Sequence, residues 1–146
     1  GTLAGGVKWS TSFRIGSGLI SDRHIHTDPP GVDELDNARR AVDAMFAEFP
    51  FPTVDQAIAI GGTASSLRRM VGNVLGHETM ERAIRLITRN TAYEVADEFG
   101  LDIERVEVLP AGVMILENIG DRLELPLRIG KGGLREGKLL ELLAPA

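Results

Sequence analysis

Ile60-Gly61-Gly62-Thr63-Ala64 sets two glycines between a short apolar run and a helix-forming stretch. Glycine has no Cβ, so a ligand can approach the backbone closely there. The free N–H groups at a helix start, with the positive end of the helix dipole, favour an anion. Gly61, Gly62 and Thr63 are therefore the first candidates for binding phosphate or a nucleotide; the plainer reading is a tight strand-to-helix turn. The segment is not the G-x-x-x-x-G-K-[ST] phosphate loop, which does not occur in the sequence. A second glycine turn, Gly130-Lys131-Gly132-Gly133, precedes Leu134-Arg135. Lys131 and Arg135 flank it and can meet phosphate oxygens, although composition alone favours solvated charges at a β-to-α turn.

Other reactive types are less ordered. His24 and His26 flank Ile25, so on a strand they would share a side, a spacing that can bind metal. No third histidine lies near them, and Asp22 and Asp28 read as surface residues. His77 reads as a surface residue between helices. Arg82, Arg85 and Arg89 fall on one helix face, with Glu78 and Glu81 four residues before the first two, the order that favours ion pairs on a solvated face. No Ser–His–Asp arrangement can be argued, and no carboxylate sits in a context that demands a shifted pKa. No catalytic residue and no metal ligand is assigned.

The elements that would position these residues follow from periodicity. Val7, Trp9, Thr11, Phe13 and Ile15 alternate, which predicts a strand broken at Gly16-Ser17-Gly18. Asp28-Pro29-Pro30-Gly31 is a firm stop. Residues 32–49 predict an amphipathic helix, and residues 54–60 a buried strand ending at the first glycine pair. Thr63 can cap a helix over 64–74. One long helix is predicted over 79–99 with Gly100 at its C terminus, then a connecting piece over 101–109. Pro110 suits the first turn of a helix ending near Gly120. Residues 123–129 read as a strand that Pro126 makes an edge or irregular one, and residues 134–143 as a last helix. This alternation predicts a single α/β domain over residues 1–146, with a central sheet containing 7–14, 54–60 and 123–129.

The chain has 146 residues, 43% hydrophobic and 25% charged, as in an ordinary folded domain. Its net charge of −5 argues against broad nucleic-acid binding. With no cysteine there are no disulfides, zinc thiolates or thiol nucleophiles. No apolar run approaches the roughly 18 residues that span a bilayer, and the Gly-rich start is no signal peptide. A cytoplasmic location without membrane partners is expected. The chain starts at Gly1 and its first methionine is Met45, which reads as a piece cut or processed from something longer.

Four segments in order resemble one family. Gly61-Gly62-Thr63 with Leu67 resembles the "GxGGTxxxL" segment of exopolyphosphatase/guanosine pentaphosphate phosphohydrolases (the Ppx/GppA family). Arg105 with Leu109-Pro110-Ala111-Gly112 and Ile115-Leu116 resembles its "R-x-x-x-L-P-A-G-x-x-I-L". Gly133-Leu134-Arg135-Glu136-Gly137 resembles its closing "G-L-R-E-G". Residues 6–14, then Asp28-Pro29-Pro30, resemble the strand and turn that open its second half.

The resemblance implies a ribonuclease H-like, actin-like ATPase half-domain, a mixed sheet with flanking helices. Two such halves enclose a cleft, and the family hydrolyses the terminal phosphoanhydride of polyphosphate or guanosine pentaphosphate, usually with Mg²⁺. Gly61, Gly62 and Thr63 then fall on the phosphate-facing turn of the second half. The family's "D-[IV]-G-G-G-S" loop has no counterpart in Gly1-Thr2-Leu3-Ala4-Gly5-Gly6. Its catalytic glutamate and first phosphate loop belong to the other half. The expectation is thus a C-terminal lobe that forms one cleft wall, holds no evident cofactor itself and is inactive alone. Its implied partners are the N-terminal lobe and a polyphosphate or guanosine penta- or tetraphosphate ligand, with a homodimer left open. The alternatives are a non-catalytic polyphosphate or nucleotide binding module, and half of an actin-like sugar kinase or ATPase.

Overall fold

The computed structural model describes residues 2–3, 6–7 and 9–143. Its elements run β1 (Thr2–Leu3), β2 (Gly6–Val7), α1 (Ser17–His24), α2 (Val32–Phe46), β3 (Ala57–Ala59), α3 (Gly62–Val71), β4 (Val74–Leu75), α4 (His77–Arg89), α5 (Ala92–Phe99), α6 (Ile103–Glu107), α7 (Leu109–Leu123), β5 (Leu127–Ile129) and α8 (Leu134–Leu143). The class is α/β, with a small mixed sheet and helices around it. β1 and β2 pair antiparallel in a separate two-stranded sheet. The three-stranded sheet has the order β3-β5-β4. β3 runs parallel to β5, with Ala57, Ile58 and Ala59 opposite Leu127, Arg128 and Ile129, while β4 is antiparallel to β5. Among the described residues no helix is long and apolar enough to cross a membrane.

α7 joins two apolar clusters. Leu109 and Val113 pack with Leu67 of α3, Met80 and Ala83 of α4 and Val95 of α5. Ala111 and Met114, on the other side of the helix, pack instead with Ile20 of α1 and Val42 and Phe46 of α2. A helix apolar on both sides has no solvated stripe over its first half, as a central helix requires. Pro110 lies in its first turn, where a missing N–H costs no helical bond.

Several expectations are corrected. The alternation over 7–15 forms no strand in the main sheet: β2 ends at Val7, and residues 9–14 carry no ladder. Phe13 is held by edge-on aromatic contacts to Phe46 and Phe49, with ring centroids 4.9 and 4.8 Å apart. Gly16-Ser17 opens helix α1 rather than merely breaking a strand, so His24 ends a helix and no strand face is shared with His26. The helix predicted over 79–99 is two. Thr91 starts the second, its hydroxyl accepting the Glu94 N–H at 3.3 Å while Glu94 accepts the Thr91 N–H at 2.8 Å. Asp28 is no idle surface group, because its carboxylate takes the Ala92 N–H at 2.8 Å, the first residue of α5. His77 is the first residue of α4, and the piece at 101–109 holds α6. The strand predicted over 123–129 shrinks to Leu127–Ile129 and lies in the middle of its sheet, since α7 continues to Leu123 and Pro126 stands outside the ladder. Gly100 does end α5 in the left-handed conformation, φ 61°.

Candidate functional site

Parallel pairing puts the ends of β3 and β5 at one edge of the sheet. The register holds to its last step, where the Gly130 N–H donates to the Ala59 carbonyl at 2.9 Å. Both glycine turns therefore leave from the same carboxyl edge, Gly61-Gly62-Thr63 into α3 and Gly130-Lys131-Gly132-Gly133 into α8. Ligands in open α/β sheets bind at such an edge. Close strand approach explains Gly130: a Cβ there would lie 2.8 Å from Cγ2 of Ile58 and 3.0 Å from that of Ile60.

At the first turn the two glycines differ. Gly61 caps α3 with φ 107°, ψ −174°, a conformation that L side chains rarely adopt. Its carbonyl accepts the Ser65 N–H at 3.0 Å, which begins the helix. Gly62 carries no such torsion, and a Cβ added to it would meet nothing within 4 Å. Thr63 does not cap the helix as expected, for it lies inside it and α3 has no side-chain cap. Its side chain faces Gly112 of α7, where an added Cβ would sit 2.5 Å from Cγ2 and 2.6 Å from Oγ1.

Gly62, Thr63 and Ala64 line a cavity of about 190 Å³ together with Gly16 and Ser17, the start of α1. Two helix N termini thus open on one small space. Gly16, like Gly61, caps without a side chain, so the first N–H groups of both helices have no side-chain acceptor at the cap. Neither α1 nor α3 has an acidic residue in its first turn, whereas α2, α4, α5 and α6 carry Asp33 and Glu34, Glu78, Glu94 and Glu104 there. The positive ends of α1 and α3 are left without the protein's own carboxylates, which suits an external anion. Among the described residues no titratable side chain lines this cavity.

Lys131, on the neighbouring turn, and Arg135, in the first turn of α8, are exposed and do not line the cavity. Glu136, which sequence reasoning passed over, lies against that turn, with Oε2 3.0 Å from a Cβ placed on Gly133. Gly16 and Ser17 were also missed; their signal was a glycine and a serine opening an eight-residue helix, read instead as the end of a strand. The arginine face of α4 is structural. Arg82 donates to the Val71 carbonyl at 2.9 Å and closes α3, while Arg85 pairs with Glu81 at 3.3 Å.

The Ppx/GppA phosphatase family profile matches residues 4–145. Among solved structures, the Aquifex aeolicus PPX-GPPA enzyme is similar, with a TM-score of 0.81 at 21% identity over 93% of this chain and 50% of that one. A second crystal structure of the Aquifex aeolicus Ppx/GppA family member gives 0.78 at 21% identity over 88% and 46%. An exopolyphosphatase-like protein gives 0.74 at 20% identity over 90% and 49%. The chain spans about half the length of these solved relatives. No curated protein matches the sequence.

Proposed function

We propose, from the premise that this chain belongs to the Ppx/GppA phosphatase family and has its actin-like fold, that it is the C-terminal lobe of a two-lobed phosphoanhydride hydrolase. In this reading it supplies one wall of the cleft and binds the phosphates of polyphosphate or of a guanosine penta- or tetraphosphate. The observation that carries the reading is the meeting of two uncapped helix N termini, free of acidic residues, at the Gly62-Thr63 turn. Backbone N–H groups there would hold phosphate oxygens by charge-assisted hydrogen bonds. Lys131, on the next turn of the same sheet edge, and Arg135, at the start of α8, would meet oxygens further along a chain of phosphates.

Mg²⁺ takes oxygen ligands, usually one or two carboxylates with substrate phosphates. Among the described residues no carboxylate lines the cavity, so these residues do not fit a protein-held Mg²⁺. The same lack of a titratable group favours binding rather than hydrolysis by this chain alone. A non-catalytic phosphate-binding module is accordingly the second reading.

The test is titration of the chain with tripolyphosphate, followed by amide chemical shifts. The expected result is saturable shifts at Gly62, Thr63 and Ser17 that weaken in Gly62→Val. Shifts confined to scattered surface lysines and arginines, or an unchanged Gly62→Val, would overturn the assignment.

A further inference from the structure

A second pocket, of about 290 Å³, lies at the other end of α1 from the Gly62-Thr63 cavity: Ser17 lines one and Ser21 the other. It is walled by the end of α1, the turn that follows, the end of α4, the start of α5 and the junction of α6 with α7. None of its residues belongs to the candidate phosphate site.

Ser21 is a polar side chain that the fold leaves unanswered. The residue is 6% exposed, and its Oγ has no hydrogen-bond partner among the described residues. A hydroxyl inside a helix can return to the carbonyl four residues back, as that of Thr88 does to Ile84 at 2.9 Å. Ser21 makes no such bond. A buried hydroxyl without a partner has lost its hydration uncompensated, so a group in the pocket that bonds Oγ recovers that loss.

The rest of the lining selects the charge of that group. Asp22 of α1 and Glu107 of α6 are exposed at the rim, and neither has an ion-pair or hydrogen-bond partner among the described residues. Asp28 lines the pocket as well, but both its oxygens take the Ala92 N–H, at 2.8 and 3.0 Å. Among the described residues no lysine or arginine lines it, and His26 is the one basic type there. Beneath the rim the wall is apolar, with Ile87, Val95 and Val106 buried.

We infer that this pocket is a second ligand site and takes a short alkyl diamine. Its ammonium groups would pair with the Asp22 and Glu107 carboxylates, its carbon chain would lie along the apolar wall, and one ammonium N–H would be donated to Ser21 Oγ. A metal ion fits less well: no group of three metal-ligating side chains gathers among the described residues, and a bare ion would leave the apolar wall uncovered. A volume of about 290 Å³ is at the small end for ligand pockets, which suits a molecule of a few carbons. The inference is independent of the phosphate-binding reading.

The test is titration of the 146-residue chain with putrescine, followed by amide and methyl chemical shifts, with butanediol as the uncharged comparison. Saturable shifts at Ser21, Ile87 and Val106 are expected with the diamine and not with the diol. Asp22→Asn combined with Glu107→Gln should raise the dissociation constant at least about tenfold, through loss of charge-assisted hydrogen bonds. Both residues are exposed and unpaired among the described residues, so this variant should melt as the parent protein does. Ser21→Ala should weaken binding by about three- to tenfold. It should leave the melting temperature of the unliganded chain equal or higher, because no bond is lost and alanine favours a helix. Equal binding of the diol overturns the inference. So do shifts that never saturate and follow every surface carboxylate, which is ionic screening only. A Ser21→Ala chain that binds putrescine as tightly as the parent protein overturns it too, since the hydroxyl then meets no ligand.

Discussion

Thr63 and Gly112 meet where the first turn of α3 crosses α7, so closely that a methyl group on Gly112 would fall 2.5 Å from Thr63 Cγ2. The contact fixes the glycine turn against the central helix of the domain. In an open helix Gly→Ala gains about 1 kcal/mol from propensity. Here overpacking, typically about 1–3 kcal/mol, opposes it. Thr63 cannot turn away cheaply, because a β-branched side chain in a helix has few rotamers. Gly112→Ala should therefore lower stability in urea unfolding. In a Thr63→Ala background the same change should be neutral or stabilising, and a double-mutant cycle measures that reversal.

Gly61 and Gly62 should separate folding from binding. Gly61 holds φ 107°, so Gly61→Ala should cost roughly 1–3 kcal/mol of strain. Gly62→Ala, in open space and ordinary torsions, should stay within about 0.5 kcal/mol of the parent protein. Gly62→Val should fold as well, yet weaken tripolyphosphate binding by about tenfold, roughly 1.4 kcal/mol. Thermal melts and calorimetric titration of the three variants decide this. Equal melting of Gly61→Ala and Gly62→Ala would contradict it.

Glu34 links the start of α2 to the loop before it and should make the fold acid-sensitive. Its carboxylate accepts the Thr27 hydroxyl, the Gly31 N–H at 2.9 Å and the His26 N–H at 2.8 Å. These bonds, the Thr27 hydroxyl first, hold its pKa down from the ordinary 4.5 to about 2. Between those values the unfolded chain binds more protons than the folded one, so stability falls as pH falls through this window and is fully present above it. Glu34→Gln should be less stable than the parent protein at pH 7 and should lose less on going to pH 2. Asp43, held down by Asn118 and Arg122, and Glu94, held down by Thr91, act in the same direction. The slope should thus shrink in Glu34→Gln without vanishing. Unfolding midpoints at pH 7, 4 and 2 measure it.

The parts of the fold legible in sequence were those set by local rules. Pro110 in a first turn, the left-handed Gly100 and the Asp28-Pro29-Pro30-Gly31 stop each follow from one residue's backbone. What escaped depends on distant partners. The alternation over 7–15 is a true strand pattern, but a ladder needs a neighbour, and α1 begins at Ser17 without a polar cap to announce it. The break at Asn90-Thr91 was readable, since Thr91 and Glu94 stand at capping-box spacing, but continuous apolar spacing on both sides of it hid the signal. At the site, the Gly61-Gly62 turn was found because glycine pairs are conspicuous. Its meeting with Gly16 and Ser17 is a tertiary fact, made by the packing of α1 and α3 against α7, and no spacing encodes it.

The chain alone should bind tripolyphosphate and not hydrolyse it. Hydrolysis needs water activated and directed in line with the leaving group, and a positioned general base contributes about 10²–10⁴ in rate. The cavity at Gly62-Thr63 offers backbone N–H groups and the hydroxyls of Ser17 and Thr63 but, among the described residues, no titratable side chain. The Glu136 carboxylate, at the second glycine turn, lies over Gly133 rather than in that cavity. Phosphate release from tripolyphosphate in the presence of Mg²⁺ should therefore match that of Gly62→Val and of buffer. Glu136→Gln should leave this background unchanged and leave tripolyphosphate affinity equal or slightly tighter, because a negative charge near the phosphates is removed. Mg²⁺-dependent release well above the Gly62→Val control, and lost in Glu136→Gln, would show a base where the geometry provides none and would make this lobe an enzyme in its own right.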